Sequence, residues 1–208
     1  MNNTVFYKGA YMALSGNEVF KSGDQDTGLS ILDVWRYHNP NLYFQHGNIG
    51  EFLVASALGQ KVTRDQDYWA LCDVEYRDRR IEVKTTAYYH PWNEKWGISK
   101  ARSFGIAPAN SAYETENRKE NRYERQNDIY VFCLNTGNTR EESNPLQLLN
   151  WEFYVVPTAK INQVCGRKQK TISLGRVRKL AGMCRYEQIK ENVDRIIDQT
   201  EEIENGTV

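Results

Sequence analysis

The chain has 208 residues, with 27 lysines and arginines against 27 aspartates and glutamates, so its formal net charge is zero. A content of 40% hydrophobic, 12% aromatic and 26% charged residues is typical of a globular protein and excludes a wholly disordered chain. No apolar run approaches the roughly 20 residues that a membrane helix needs, and the first ten residues lack the basic start and apolar core of a signal peptide.

The four cysteines are widely spaced and form no C-x-x-C motif, which argues against a zinc ribbon. They are Cys72, Cys133, Cys165 and Cys184. We therefore predict reduced thiols, a cytoplasmic protein and no membrane association. The length predicts a single domain over residues 1–208, with a core at about 47–156 and a C-terminal extension over 157–208.

The first elements in chain order are two helices. Residues 1–29 show no pattern beyond a loop with short elements, but Ser30 and Asp33 have the spacing of a capping box that opens a short helix. A second helix is predicted over 47–58, where apolar residues occur almost all the way round and indicate burial. Its one ionisable residue is Glu51, and a buried carboxylate is costly unless it is paired, hydrogen-bonded or bound to a metal. A salt bridge to a nearby arginine and a role at a metal site both explain Glu51.

After a short predicted strand over 61–64, the stretch from 69 to 86 predicts an antiparallel hairpin. A turn centred on residues 77–78 pairs residues whose numbers sum to 155. This register gathers the apolar side chains on one face and places Asp73 opposite Glu82 on the other. Two carboxylates ~5 Å apart repel by roughly 3 kcal/mol at an effective dielectric near 20, so a positive group should lie between them.

Lys84 lies two residues beyond Glu82 and therefore points to the same face of its strand. Carboxylate oxygens that converge from two strands, with positions left for water, are ligands that Mg²⁺ accepts. The alternative interpretation is a solvated hairpin face on which acidic and basic residues alternate for structural reasons alone.

Asp73 on one strand and the run Glu82-Val83-Lys84 on the next strand resemble the motif of the PD-(D/E)XK nuclease superfamily, over roughly residues 47–134. The resemblance implies an α/β protein with a restriction endonuclease-like αβββαβ core, in which helices flank a mixed central sheet. A helix with an acidic residue precedes the site strands in both cases. This chain departs from the motif at the residue before Asp73, where a cysteine stands in place of the proline.

The resemblance also implies the chemistry of the site. Asp73, Glu82, the main-chain carbonyl near Val83 and waters would bind Mg²⁺ or Mn²⁺, and Glu51 would hold a metal-bound water or a second ion. Lys84 would position the attacking water and stabilise the transition state, and the product would carry a 5′-phosphate.

Three functions are compatible with these patterns. The first is a metal-dependent endonuclease of the restriction, repair or mobile-element type that cleaves DNA, with RNA left open and a two-fold dimer suited to double-strand cutting. The second is a nucleic-acid-binding module of the same fold that does not cut. In the third, the hairpin charges are structural and the basic stretch binds a protein partner.

Aliphatic residues thin out between 88 and 127, and aromatic ones persist. A short helix is predicted over 99–105 with Lys100 and Arg102 on it, and 107–126 is predicted to be either an exposed charged helix or a mobile loop. Mixed aromatic and basic residues beside a nuclease site would bind a nucleic acid. A solvent-exposed loop without a binding role explains them equally well.

The C-terminal third alternates strands and helices. A strand buried on both faces is predicted over 128–134, a further strand over 151–156, and helices at about 173–180 and 186–203.

Charge is segregated in this part of the chain. Residues 158–186 contain eight lysines or arginines and no acid, whereas 187–204 contain seven acids and two bases. Such segregation predicts a polyanion-binding surface. The predicted phosphate contacts are Arg167, Lys168, Lys170, Arg176, Arg178 and Lys179, together with Lys100 and Arg102. The alternative is that some of these bases pair with the acidic final helix.

Overall fold

The computed structural model describes residues 15–38, 46–60, 72–90, 92–98, 101–110 and 123–206. The chain divides into two compact units. Described residues 15–38 belong to the first unit, and all the later described residues belong to the second. The described parts of the predicted core and of the C-terminal extension both lie in the second unit.

The first unit is a hairpin followed by a helix. Strands β1 (Val19–Ser22) and β2 (Gln25–Ser30) pair antiparallel, and helix α1 spans Ile31–His38. The predicted capping box is confirmed, since the Ser30 amide donates to Asp33 Oδ2 at 2.9 Å and the Asp33 amide donates to Ser30 Oγ at 3.2 Å. Sequence patterns place the helix correctly but assign only a loop with short elements to the hairpin.

The second unit is built on a four-stranded mixed sheet. Its elements in chain order are α2 (His46–Ala57), β3 (Val74–Tyr76), β4 (Arg79–Ala87), α3 (Asn93–Trp96), β5 (Ser103–Gly105), β6 (Ala109–Asn110), β7 (Tyr123–Glu124), β8 (Ile129–Asn135), β9 (Trp151–Pro157), α4 (Thr158–Val164), β10 (Thr171–Ser173), α5 (Leu174–Leu180) and α6 (Ile189–Glu204). The strand order is β3-β4-β8-β9, with β4 and β8 parallel and both outer pairs antiparallel. The chain is therefore a mixed α/β protein with a mixed central sheet flanked by helices, as predicted.

The predicted register of the β3–β4 hairpin is confirmed. Val74 lies opposite Ile81 and Glu75 lies opposite Arg80. The pairing begins at Val74, so Asp73 precedes the ladder instead of belonging to it.

The hairpin turn is strained and is held by the last helix. Arg77 and Asp78 have φ values of 51° and 58°, the left-handed region that a two-residue hairpin turn requires and that costs a non-glycine residue about 1–3 kcal/mol. The Arg77 guanidinium contacts Asp194 at 3.3 Å, Asp198 at 2.8 Å and Glu201 at 3.4 Å, all on α6. The acidic face of α6 is thus occupied by the hairpin.

The sheet separates two layers of core residues. Strand β8 is buried along its whole length, as predicted for a central strand. Its odd-numbered residues, such as Val131, pack with α2 and α6, whereas even-numbered residues such as Phe132 pack with α4, β10 and α5. We call these two sides the α2/α6 face and the α4/α5 face.

Helix α2 lies directly on strand β4. A Cβ atom added at Gly50 would lie 2.0 Å from Thr85 Oγ1. The close approach of helix and strand therefore requires a glycine, which has no side chain, at this position. The prediction that this helix is buried all round is wrong, because Phe52 is 49% exposed. The helix covers the sheet as an outer layer, which leaves its far side to solvent.

Two further predictions need correction. A helix over 99–105 is wrong for the described residues, because Ser103–Gly105 forms β5 and pairs with β10. The stretch 107–126 is not a helix where it is described, because β6 and β7 pair antiparallel at its two ends. Residues 111–122 and the predicted strand over 61–64 lie outside the described residues. Helix α4 has no counterpart among the predicted elements.

No helix within the described ranges is long and apolar enough to cross a membrane.

Candidate active site

The hairpin brings the three predicted site residues together. Lys84 Nζ contacts Glu82 Oε1 and lies 4.0 Å from Asp73 Oδ2. The two carboxylate side chains are each 20% exposed and the lysine side chain is 34% exposed. Lys84 is therefore the positive group that the opposed carboxylates require, in a site that is shielded but open to solvent.

Asp73 is fixed by a main-chain bond at the end of the hairpin ladder. Its Oδ2 accepts a hydrogen bond from the Val83 amide at 2.7 Å. Because the N–H and C=O of one residue in an extended strand point to the same edge, the Val83 carbonyl faces the side of β4 that carries Asp73. Carboxylate and carbonyl oxygens thus meet at this edge of the sheet.

The electrostatic environment of Glu82 is unfavourable to its charge. Burial raises the pKa of Glu82 and the nearby Asp73 charge raises it further, while contacts with Lys84 and Asn127 lower it without cancelling the rise. Carboxylates whose pKa is shifted by burial and by a specific charged neighbour are frequent at functional sites.

The raised pKa of Glu82 predicts a pH-dependent cost in stability. A carboxyl with a raised folded-state pKa stabilises the fold only while it is protonated, and that contribution is lost as the pH rises through the folded pKa. The cost to the folded chain is therefore greatest above the folded-state pKa, where the glutamate is charged. We expect Glu82→Gln to raise the Tm at pH 7, by an amount that shrinks as the pH falls through the ordinary carboxyl range, as measured by calorimetry at a series of pH values. The exposed Glu75→Gln is the control, and a lower Tm for Glu82→Gln at pH 7 would contradict this interpretation.

Asn127 is a site residue that sequence reasoning missed. Its Nδ2 donates to Glu82 Oε2 at 2.6 Å, and the residue is 9% exposed. Asn127 lies two residues before the start of β8, and the parallel pairing of β8 with β4 brings it to the carboxylate. The sequence offers only a polar residue before a buried strand, a signal too weak to select it.

Glu51 lies on the helix that covers the α2/α6 face. Val83 and Thr85 point to that face, and alternation along β4 sends Glu82 and Lys84 to the other one. Among the described residues no three His, Cys, Asp or Glu side chains are grouped so that they would hold a metal ion. Glu51 is therefore not gathered with Asp73 and Glu82 into such a group.

The predicted phosphate contacts differ in their surroundings. Arg102 donates to the carbonyls of Ala87 and Tyr88 at 2.6 Å each, and Arg178 binds Tyr154 and Glu152 at 2.9 Å each. Both guanidinium groups thus have structural partners, and Lys100 lies outside the described residues.

The other predicted contacts are exposed around α4 and α5. Among the described residues, the Arg176 guanidinium reaches only Cys165 Sγ, at 3.9 Å. The remaining four have no ion-pair partner in the part of the chain that the structure describes: Arg167, Lys168, Lys170 and Lys179. Ion pairs from α6 to other described elements go to Arg77 and Arg79, so the alternative in which the basic segment pairs with the acidic helix is wrong for these residues.

No protein-family model, curated protein or solved structure matches the chain. The class that the fold and site define is a mixed α/β protein with a carboxylate–lysine cluster at the edge of its central sheet.

Proposed function

We propose that the protein is a metal-dependent endonuclease that cleaves DNA on a restriction endonuclease-like core. The observation that carries the proposal is the convergence of Asp73 and Glu82 on Lys84 at one edge of the sheet. A purely structural hairpin face would gain little from two half-buried carboxylates that share one lysine, because their repulsion raises the cost of burying them.

The donor set fits a hard divalent cation. Asp73, Glu82 and the Val83 carbonyl would hold Mg²⁺ or Mn²⁺, since these ions take oxygen ligands and keep several waters. When bound, the ion would offset charge on the scissile phosphate and lower the pKa of a bound water.

The residues of the chain supply the remaining parts of the reaction. The Lys84 ammonium is held beside the carboxylates, where it would stabilise the negative charge that develops on the phosphate. Asp73 is held by the Val83 amide, so its orientation is set before any substrate arrives. Preorganised groups of this kind accelerate a reaction because they need not rearrange as charge develops.

The placement of the basic side chains supports a polyanionic substrate. Helices α4 and α5 cover the sheet face to which Glu82 and Lys84 point, since Tyr130 and Phe132 pair with those two residues across β4 and β8 and pack into the same layer. The exposed bases of α4, α5 and the loop between them therefore belong to the layer on the same side of the sheet as Glu82 and Lys84, while the acidic helix α6 lies on the opposite face. A phosphate backbone would approach from the α4/α5 face.

The test is cleavage of DNA by the purified chain. Supercoiled plasmid, linear duplex, single strands and flap substrates should be incubated with Mg²⁺ or Mn²⁺, with EDTA as the control and RNA as a parallel substrate. We expect cleavage of DNA that needs the metal, and binding that falls steeply as salt rises because several phosphate contacts release counterions. Salt-sensitive binding without cleavage of any substrate would favour a nucleic-acid-binding module that does not cut. Binding that is insensitive to salt would contradict the predicted phosphate contacts of the exposed bases.

A further inference from the structure

We infer that Asn127 is a positioning residue that holds the Glu82 carboxylate in the orientation needed to bind a divalent cation, an inference that rests on the proposed function. The two oxygens of Glu82 have different partners. Oε1 faces Lys84, and Oε2 accepts the Asn127 Nδ2–H bond at 2.6 Å. The carboxylate is thus held by Lys84 on its own strand and by Asn127 from the segment just before β8.

The amide of Asn127 has only one chemically reasonable orientation. An ionised carboxylate accepts hydrogen bonds and donates none, so the amide must present its nitrogen to Glu82. This leaves Asn127 Oδ1 buried and without a hydrogen-bond partner among the described residues. An unpaired buried acceptor destabilises a fold. The orientation that gives Glu82 a donor thus leaves the amide oxygen unpaired, a feature found at catalytic and ion-binding sites.

The backbone around Asn127 is anchored from two sides, so its side chain is placed with little freedom. The Asn127 carbonyl accepts from Thr158 Oγ1 at 2.6 Å. At the next residue, the Asp128 amide donates to the Arg80 carbonyl and the Arg80 amide donates to Asp128 Oδ2, both at 2.8 Å. The Asp128 carbonyl accepts a hydrogen bond from the Thr158 amide at 2.9 Å. The start of β8 is thereby tied to the start of β4, on which Glu82 lies.

This anchoring determines which Glu82 oxygen serves the site. With Oε2 held by the amide, Oε1 is the oxygen on the side of Lys84. Groups that orient a metal-binding carboxylate through its second oxygen typically change metal affinity or activity 10–100-fold when they are removed. The role of Asn127 would therefore be to present a single, fixed carboxylate oxygen to the ion.

The experiment compares Mn²⁺ binding by the wild-type chain and by Asn127→Ala, measured by calorimetry without DNA. We expect the affinity to fall about 10–100-fold in the variant. In cleavage assays kcat should fall at a fixed low Mn²⁺ concentration and recover as Mn²⁺ is raised, while KM for DNA stays unchanged because the basic surface is intact. A merely structural residue would not give recovery by metal.

The control is Asn162→Ala, which removes an asparagine side chain that contacts Arg125 instead of Glu82 and should leave Mn²⁺ affinity unchanged. If Asn127→Ala fails to fold, Asn127→Leu fills the same space without a donor and should show the same loss. Wild-type Mn²⁺ affinity in either Asn127 variant overturns the inference and leaves the proposed function standing. Weaker Mn²⁺ binding supports the inference even if no substrate is cleaved, a result that would count against the proposed function alone.

Discussion

Replacing Lys84 with alanine should lower the single-turnover rate of DNA cleavage about 10²–10³-fold, the usual effect of removing one preorganised group that stabilises transition-state charge. The ammonium lies against Glu82 and 4.0 Å from Asp73, and no other lysine of the described residues pairs with either carboxylate. Binding of DNA should persist, because the exposed bases around α4 and α5 are unchanged. The measurement is a quenched time course with excess enzyme, accompanied by circular dichroism to verify folding.

The matched control is Lys95→Ala, which removes an exposed lysine that lies 5.0 Å from the centroid of the Trp96 ring on α3. Its cleavage rate should stay within a few-fold of the wild-type rate. Retention of full activity by Lys84→Ala, with folding intact, would show that the hairpin cluster is not the catalytic centre.

Gly50→Ala should lower the free energy of unfolding by about 1–3 kcal/mol, the range for adding a methyl group to a close-packed contact. The new Cβ would meet Thr85 Oγ1 at 2.0 Å and Thr85 Cβ at 3.2 Å, so helix α2 must move away from strand β4. Since β4 carries Glu82 and Lys84, the same shift should also reduce cleavage. Urea denaturation followed by circular dichroism measures the loss.

Two further variants sharpen this comparison. Gly47→Ala adds the same methyl group to α2 where no atom lies within 4 Å, and should leave stability unchanged or raise it by up to about 1 kcal/mol. Thr85→Ala removes the crowded oxygen, so the double variant Gly50→Ala/Thr85→Ala should recover part of the loss and give a favourable coupling energy. Equal stability of Gly50→Ala and Gly47→Ala would mean that the helix is not seated on the strand in this way.

The distribution of charge over the fold gives the zero net charge a physical meaning. The acids of α6 bind the strained turn of the site hairpin from the α2/α6 face, through Arg77 and Arg79. The bases of α4, α5 and the intervening loop are left exposed on the other face. A chain with balanced charge therefore carries its exposed bases and its acidic helix on opposite sides of the sheet.

The sequence by itself determined the features that depend on local alternation. A turn centred on Arg77 and Asp78 gives the register that the structure has, and the period of two along β4 places Glu82 and Lys84 on one face even if the turn centre moves by one pair. The same kind of periodicity located α2, β8 and α6, because a buried strand and an amphipathic helix each have a recognisable spacing of apolar residues.

Only the tertiary structure decided which distant groups meet. Asn127 reaches Glu82 across 45 residues, and Arg77 reaches the α6 carboxylates across 117 to 124 residues. These contacts follow from the parallel pairing of β4 with β8 and from the sheet face on which each helix packs, and neither is encoded in the spacing of neighbouring residues.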